Sequence, residues 1–278
     1  MEYLLGLYEK SMPNYITLED KLIEGKQAGF DFLEISIDET DAKLQRLDWS
    51  TKEKKELVNS MYRTGMPIKT MCLSGHRKFP IGSNDETIAK NGMSIMRKAI
   101  DFACDIGIRI IQIAGYDVYY EESTLETRQR FRENLKKSVQ YASQKGVLLG
   151  FETMETDFMN TVKKAMKYVK LIDSPYLNVY PDIGNVTNGC KQYGMDVLKD
   201  IANGKGKILA AHLKETLPGK FREVPYGTGH VDFKSTIELL RKNGVYIFVG
   251  EFWFNENLDW KESLRFSNKF LRSQFNNK

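Results

Sequence analysis

Residues 147–182 read VLLGFETMETDFMNTVKKAMKYVKLIDSPYLNVYPD. An apolar run, VLLGFE (147–152), gives way to a helix pattern, FMNTVKKAMKYVKLI, and then to a second apolar run, LNVYPD (177–182). Each run ends on a carboxylate, Glu152 and then Asp182, 30 residues further on. One strand-plus-helix unit of a β/α barrel takes about 30 residues. The spacing therefore places the two carboxylates at equivalent points of successive strands, and raises the question of what partners them.

The same beat runs through the chain. YLLGLY (3–8), FDFLEISI (30–37), PIKTMCL (67–73), IRIIQIAG (108–115), ILAAHLK (208–214) and YIFVGEF (246–252) bring the apolar runs to eight. Several are rich in Ile and Val, as strands buried on both faces should be. Helix patterns fill the gaps. Thr17 opens TLEDKLIEGKQAGF with a Thr-x-x-Asp cap, and Gly29 closes it. Ser50 precedes a helix ending at Gly65, residues 85–105 stop before Gly107, and residues 124–145 stop at Gly146. HVDFKSTIELLRKNG repeats the pattern. The alternation predicts an α/β protein, a (β/α)8 TIM barrel in a single domain over residues 1–278. No GxGxxG follows the first run, so the usual mark of an open doubly wound sheet is missing. No linker-like stretch divides the chain.

The bulk composition agrees. The chain is 41% hydrophobic and 28% charged with a net charge of +4, ordinary for a soluble globular protein. That charge is too small and too dispersed for a nucleic-acid partner. MEYLLGLYEKS is not a signal peptide and no run reaches a membrane span, so the expectation is a cytoplasmic protein with no membrane partner. Cys72, Cys104 and Cys190 are far apart and read as reduced, small buried hydrophobes.

Two further strand ends carry polar groups: His212 in LAAHLKE and Glu251 in FVGEFWF. Alone, any of the four could be a helix cap, a loop acceptor or a satisfied core histidine. Four on four consecutive strands converge at the carboxyl-terminal mouth, where barrel enzymes keep their active sites. Three carboxylates and an imidazole so placed would repel without a cation. Glu152, Asp182, His212 and Glu251 are therefore the candidate ligands of one divalent ion. Three oxygens and one nitrogen suit Mn²⁺, Zn²⁺, Mg²⁺ or Co²⁺ alike. Around them, Ser74, His76, Arg77 and Lys78 follow the third strand, Lys214 follows His212, and Arg222 lies between strands seven and eight. These are candidate donors for an anionic substrate. Glu34, Ser36, Glu9 and Lys10 can also face the mouth, with capping the expected role of Glu9. The aromatics at 116–120 and 252–254 can wall the pocket or pack at an interface.

At these residues the chain resembles the sugar isomerase/epimerase family with the xylose isomerase-like barrel. The likeness runs through GLYEK (6–10), GFDFLEISIDETD (29–41), RLDWS (46–50), MCLSGHRKFPIGS (71–83), YPDIGN (180–185) and VPYGTGHVDF (224–233). Its most specific segment is IMRKAIDFACDIGIRIIQIAGYDVYYEE (95–122). The resemblance implies a 3-epimerase of L-ascorbate utilisation that interconverts L-ribulose 5-phosphate and L-xylulose 5-phosphate, and a homodimer. It also carries the four metal ligands over to the same four positions. Many relatives acting on free ketoses have a His three residues after the metal Asp; here that residue is Asn185, which can bond a hydroxyl but cannot become cationic. Epimerisation at carbon 3 needs a proton taken from one face and returned to the other, and Glu152 and Glu251 are the candidate bases. An aldose–ketose isomerase (hexulose-6-phosphate isomerase type) and a barrel that only binds sugar phosphate remain as alternatives. A metal-dependent endonuclease on the same barrel is disfavoured by the scarcity of histidine, three in all.

Overall fold

The computed structural model describes residues 2–275. Eight strands lie parallel: β1 (Leu4–Tyr8), β2 (Phe32–Ile37), β3 (Ile68–Leu73), β4 (Ile110–Ala114), β5 (Leu148–Glu152), β6 (Leu177–Val179), β7 (Ala211–Leu213) and β8 (Ile247–Gly250). Their order is β6-β5-β4-β3-β2-β1-β8-β7. Between and after them run α1 (Leu18–Gln27), α2 (Asp41–Leu44), α3 (Thr51–Thr64), α4 (Glu86–Ile106), α5 (Leu125–Lys145), α6 (Val162–Ile172), α7 (Ile183–Gln192), α8 (Val197–Ala202), α9 (Phe233–Lys242) and α10 (Trp260–Phe275). The expected eight-stranded barrel is the observed one.

Local chemistry sets the helix ends. Thr17, Ser50 and Thr124 each form a reciprocal capping box with the residue three positions on. Gly65, Gly107 and Gly146 close their helices in the left-handed conformation that glycine adopts without penalty. Strands β6 and β7 are shorter than their sequences suggest. Pro181 has no N–H to extend β6, and the chain turns there into α7, which the apolar pattern does not mark.

The barrel closes between β6 and β7 by two isolated parallel bridges, Val179 with Ile208 and Asp182 with His212. The His212 amide donates to the Pro181 carbonyl at 2.9 Å. Two of the candidate metal ligands thus face each other across the closing seam.

Strand side chains divide by parity. Leu33, Ile35 and Ile37 join the large outer core beneath the helices, whereas Phe32 belongs to an inner cluster with Tyr8, Cys72, Tyr180, Ala210 and Val249. Glycines make room for the large inner rings. A Cβ at Gly6 would lie 2.3 Å from the Phe32 ring, and one at Gly150 would lie 2.8 Å from the Tyr180 Cβ.

Glu9, just past β1, is fully buried. It accepts from Lys21 at 3.1 Å, from two nitrogens of Arg46 at 2.8 and 2.9 Å, from Lys43, and from the Ser36 amide at 2.9 Å. Burial favours the neutral acid, but Arg46, Lys43 and Lys21 together hold the carboxyl far below its ordinary range. Its role is to tie the first two β/α loops to α1. Glu9→Ala leaves three cations uncompensated and should cost about 3–5 kcal/mol of stability; urea unfolding measures it, and a loss under about 1 kcal/mol would contradict the assignment.

Candidate metal centre and substrate pocket

Each candidate ligand is placed by a different piece of backbone. Glu152 is the last residue of β5 and Glu251 follows β8, its amide donating to the Leu213 carbonyl at 3.0 Å. Asp182 caps α7, accepting the Asn185 amide at 2.8 Å through Oδ1. His212 sits in the middle of β7. One ligand atom from each of the four lies within 4.8 Å of the others, and all four residues are buried.

The imidazole of His212 lies between carboxylates. Its Nδ1 is 2.6 Å from Glu251 Oε2 and 3.9 Å from Glu152 Oε1, while Nε2 is 2.5 Å from Glu34 Oε1. Lys214 Nζ is 2.7 Å from Asp182 Oδ2 and 3.9 Å from Glu251 Oε1. The Lys214–Asp182 contact has ion-pair distance without hydrogen-bond geometry, so Oδ2 keeps no hydrogen-bond partner.

The charges strain against one another. Burial, reinforced by the Glu251 charge, pushes Glu152 up to about 8. Burial also pushes Asp182 up to about 7, although Lys214 pulls the other way. Glu251 goes down instead: burial opposes ionisation there too, but Lys214 and His212 outweigh it. Burial disfavours a charged His212, yet Glu34 and Glu251 raise it well above the ordinary range. Buried carboxylates that retain protons near neutrality, beside an acceptor oxygen without a hydrogen bond, are the surroundings a divalent cation fits. The donor set of three carboxylates and one imidazole is suitable for it.

A pocket of about 200 Å³ opens above this centre. Ser74, Arg77, Asn185, Lys214 and Arg222 all line it, with Lys10, Tyr8 and Trp253. The Arg77 guanidinium lies 4.6 Å from the Tyr119 ring centroid, and its Nε is buried without a hydrogen-bond partner. Arg222 stands 3.6 Å from Glu155 and 5.8 Å from the Trp253 ring centroid. Asn185 Nδ2 donates to the Thr153 carbonyl at 2.7 Å, leaving a buried Oδ1 with no partner. Lys214 lines the pocket and is paired there with Asp182. His76 is a correction. Its ring is buried with Nε2 3.1 Å from the Gly92 carbonyl, outside the pocket lining, and burial lowers it to about 4. The tight turn Gly75–Arg77 sends neighbouring side chains in different directions, so Arg77 reaches the pocket and His76 packs against α4.

Two supports were not assigned from sequence. Glu215, buried, accepts the amides of Thr216, Gly227 and Val231 at 3.1, 3.1 and 3.2 Å, and so folds the loop that carries Arg222. Glu34 bonds His212 from below. Its position inside the apolar run FLEISI was the available sign, because a carboxylate buried in a strand must have partners.

The family described as xylose isomerase-like TIM barrel matches residues 23–273. The chain belongs to that family. It is 47% identical over 240 residues to L-ribulose-5-phosphate 3-epimerase UlaE of Escherichia coli (strain SMS-3-5 / SECEC), covering 86% of this chain and 83% of the relative. The same figures hold for the protein of that description in Shigella sonnei (strain Ss046). Among solved structures, 3-keto-D-glucoside 4-epimerase YcjR from E. coli superposes with a TM-score of 0.78 at 17% identity, over 98% of this chain and all of that one. A structure of L-ribulose 3-epimerase gives 0.76 at 19%, over 99% and 96%. At these identities the structures speak for the fold. The close relatives make the chain an isomerase of the sugar-epimerase kind. Among the described residues no helix is long and apolar enough to cross a membrane.

The carboxyl shifts have a testable consequence. Glu152 and Asp182 ionise in the unfolded chain near their ordinary values of 4.5 and 3.8, but in the folded protein only near 8 and 7. The folded state then holds more protons, so metal-free stability falls as pH rises between those limits. A bound cation takes the place of the protons, so thermal stabilisation by Mn²⁺ should grow from about pH 5.5 to about pH 8.5. A Mn²⁺-induced melting shift that is flat across this range would contradict the protonation assigned to the cluster.

Proposed function

We propose that this protein is a divalent-metal-dependent 3-epimerase that interconverts L-ribulose 5-phosphate and L-xylulose 5-phosphate through an enediolate. The observation that carries the reading is the pairing of Glu152 with Glu251. They stand at the ends of β5 and β8, on either side of the β6–β7 seam, with Asp182 and His212 between them. The relatives at 47% identity support the choice of substrate.

The hydrogen on carbon 3 is acidic because the carbonyl is adjacent, and its removal leaves an anion spread over two oxygens. One glutamate takes the proton from one face, and the other returns a proton to the opposite face, which inverts the centre. A cation held by Glu152, Asp182, His212 and Glu251 supplies stabilisation of that negative charge. Asn185 Oδ1 accepts from a sugar hydroxyl, since its amide nitrogen is already committed to Thr153. Arg77, whose guanidinium has an unfilled donor, is the first choice for the phosphate, joined by Ser74, Lys10 and Arg222. Trp253 and Tyr8 close the apolar side.

Incubation of the metal-loaded protein with L-xylulose 5-phosphate in deuterated water, followed by proton NMR, should yield L-ribulose 5-phosphate with deuterium at carbon 3. An aldose with deuterium at carbon 1 or 2 would mark an aldose–ketose isomerase, and no exchange would mark a barrel that only binds. Glu152→Gln and Glu251→Gln should each slow epimerisation by about 10²–10⁴-fold. Arg77→Ala should raise KM for the phosphorylated sugar by about 10- to 150-fold, the equivalent of a lost charged hydrogen bond of about 1.5–3 kcal/mol; an unchanged KM removes Arg77 from the phosphate site.

A further inference from the structure

We infer that Glu34 is a positioning residue that fixes which nitrogen of His212 faces the metal centre. The inference rests on the metal reading above and concerns how this chain prepares its nitrogen ligand.

The geometry comes from three strands and the residue that follows β6. Glu34 points into the barrel from β2 and is fully buried. Its Oε2 accepts the Thr70 hydroxyl at 2.7 Å and the Tyr180 hydroxyl at 2.8 Å. Its Oε1 faces His212 Nε2 at 2.5 Å. One oxygen is thus filled by two hydroxyls and the other is left for the imidazole. The backbone is adjusted to make this possible. The register between β2 and β3 shifts between Leu33 and Glu34, and it is the shift that sets Glu34 opposite Thr70. Gly150 leaves the space that the Tyr180 side chain occupies, since a Cβ there would meet the Tyr180 Cβ at 2.8 Å.

An imidazole has two nitrogens, and a metal ligand must offer a lone pair on one of them. A carboxylate oxygen beside Nε2 can only accept, so Nε2 carries a hydrogen; Nδ1 faces the Glu251 carboxylate at 2.6 Å and must give up its own hydrogen to a cation held by Glu152, Asp182 and Glu251, while Glu34 keeps the remaining one on Nε2. Glu34 also fixes the ring plane, because its Oε2 is held from β3 and from the residue preceding Pro181. It does not belong to the ligand group itself.

Glu34→Gln tests this without changing shape. With its oxygen turned to the two hydroxyls, the amide presents N–H to Nε2, and the hydrogen of His212 must then move to Nδ1, where it blocks ligation. Titration of Mn²⁺ into chelator-stripped protein should show affinity about 10- to 100-fold weaker in Glu34→Gln than in wild type. Tyr180→Phe, which keeps Glu34 but removes one of the two donors on its Oε2, should fall between the two. ¹⁵N-histidine NMR of the Zn²⁺-loaded wild type should show the His212 hydrogen on Nε2. Wild-type Mn²⁺ affinity in Glu34→Gln, or a His212 hydrogen on Nδ1 in the loaded wild type, overturns the inference. Should Glu34→Gln fail to fold, an unweakened Tyr180→Phe does the same. No Mn²⁺ binding by wild type at all would overturn the metal reading itself, a result distinct from the other three.

Discussion

Like charges kept out of water are the constraint on which this molecule is organised. Glu152, Asp182 and Glu251 lie with His212 inside 4.8 Å, all buried. Such a group is costly unless cations and hydrogen-bond donors are supplied to it. Lys214 supplies one charge, His212 another, and the Asn185 amide a hydrogen bond. Residual strain remains in Glu152 and Asp182, whose carboxyls are pushed upward by burial. The four side chains in this state are a group that could hold a divalent ion.

The barrel places that group where its own closure is weakest. β6 and β7 are short, and the seam between them is held by isolated bridges rather than a continuous ladder. Asp182 and His212 form one of these bridges. Pro181 ends the strand, Asp182 caps the next helix, and the backbone is free to direct both side chains inward. Ligand placement and fold closure are therefore one structural event. Beneath the seam, Glu34, Thr70 and Tyr180 form a buried hydrogen-bonded floor that reaches across the barrel to β2 and β3. A network of this kind is stable because every oxygen of Glu34 finds a donor.

Above the centre, the loops divide the labour. The turn after β3 delivers Arg77 and Ser74, the loop after β7 delivers Arg222, and α7 delivers Asn185. The Arg222 loop is anchored by backbone contacts to buried Glu215, and the turn after β3 by the His76 ring against the Gly92 carbonyl. Glu215 gathers the amides of the Arg222 loop, and Glu9 binds Lys21, Lys43 and Arg46 around the first two strands. A rigid scaffold with loops held this way keeps donors in place before a ligand arrives.

Much of this was legible in the chain. Eight apolar runs with helix caps between them determine a closed parallel barrel, because strands joined by helices must run parallel and bury both faces. The near 30-residue spacing of Glu152, Asp182 and His212, with Glu251 on the next strand, determines that they meet at one mouth. What only the tertiary structure decided is direction and partnership. Arg77 and His76 are neighbours in sequence, yet one enters the pocket and the other packs beneath α4. Lys214 is paired with Asp182 in the pocket wall, and Glu34 reaches His212 from 178 positions away. Spacing along a strand states which end of the barrel a residue occupies. Which atom it touches depends on turns, register shifts and the absent side chains of glycines, and these act through space.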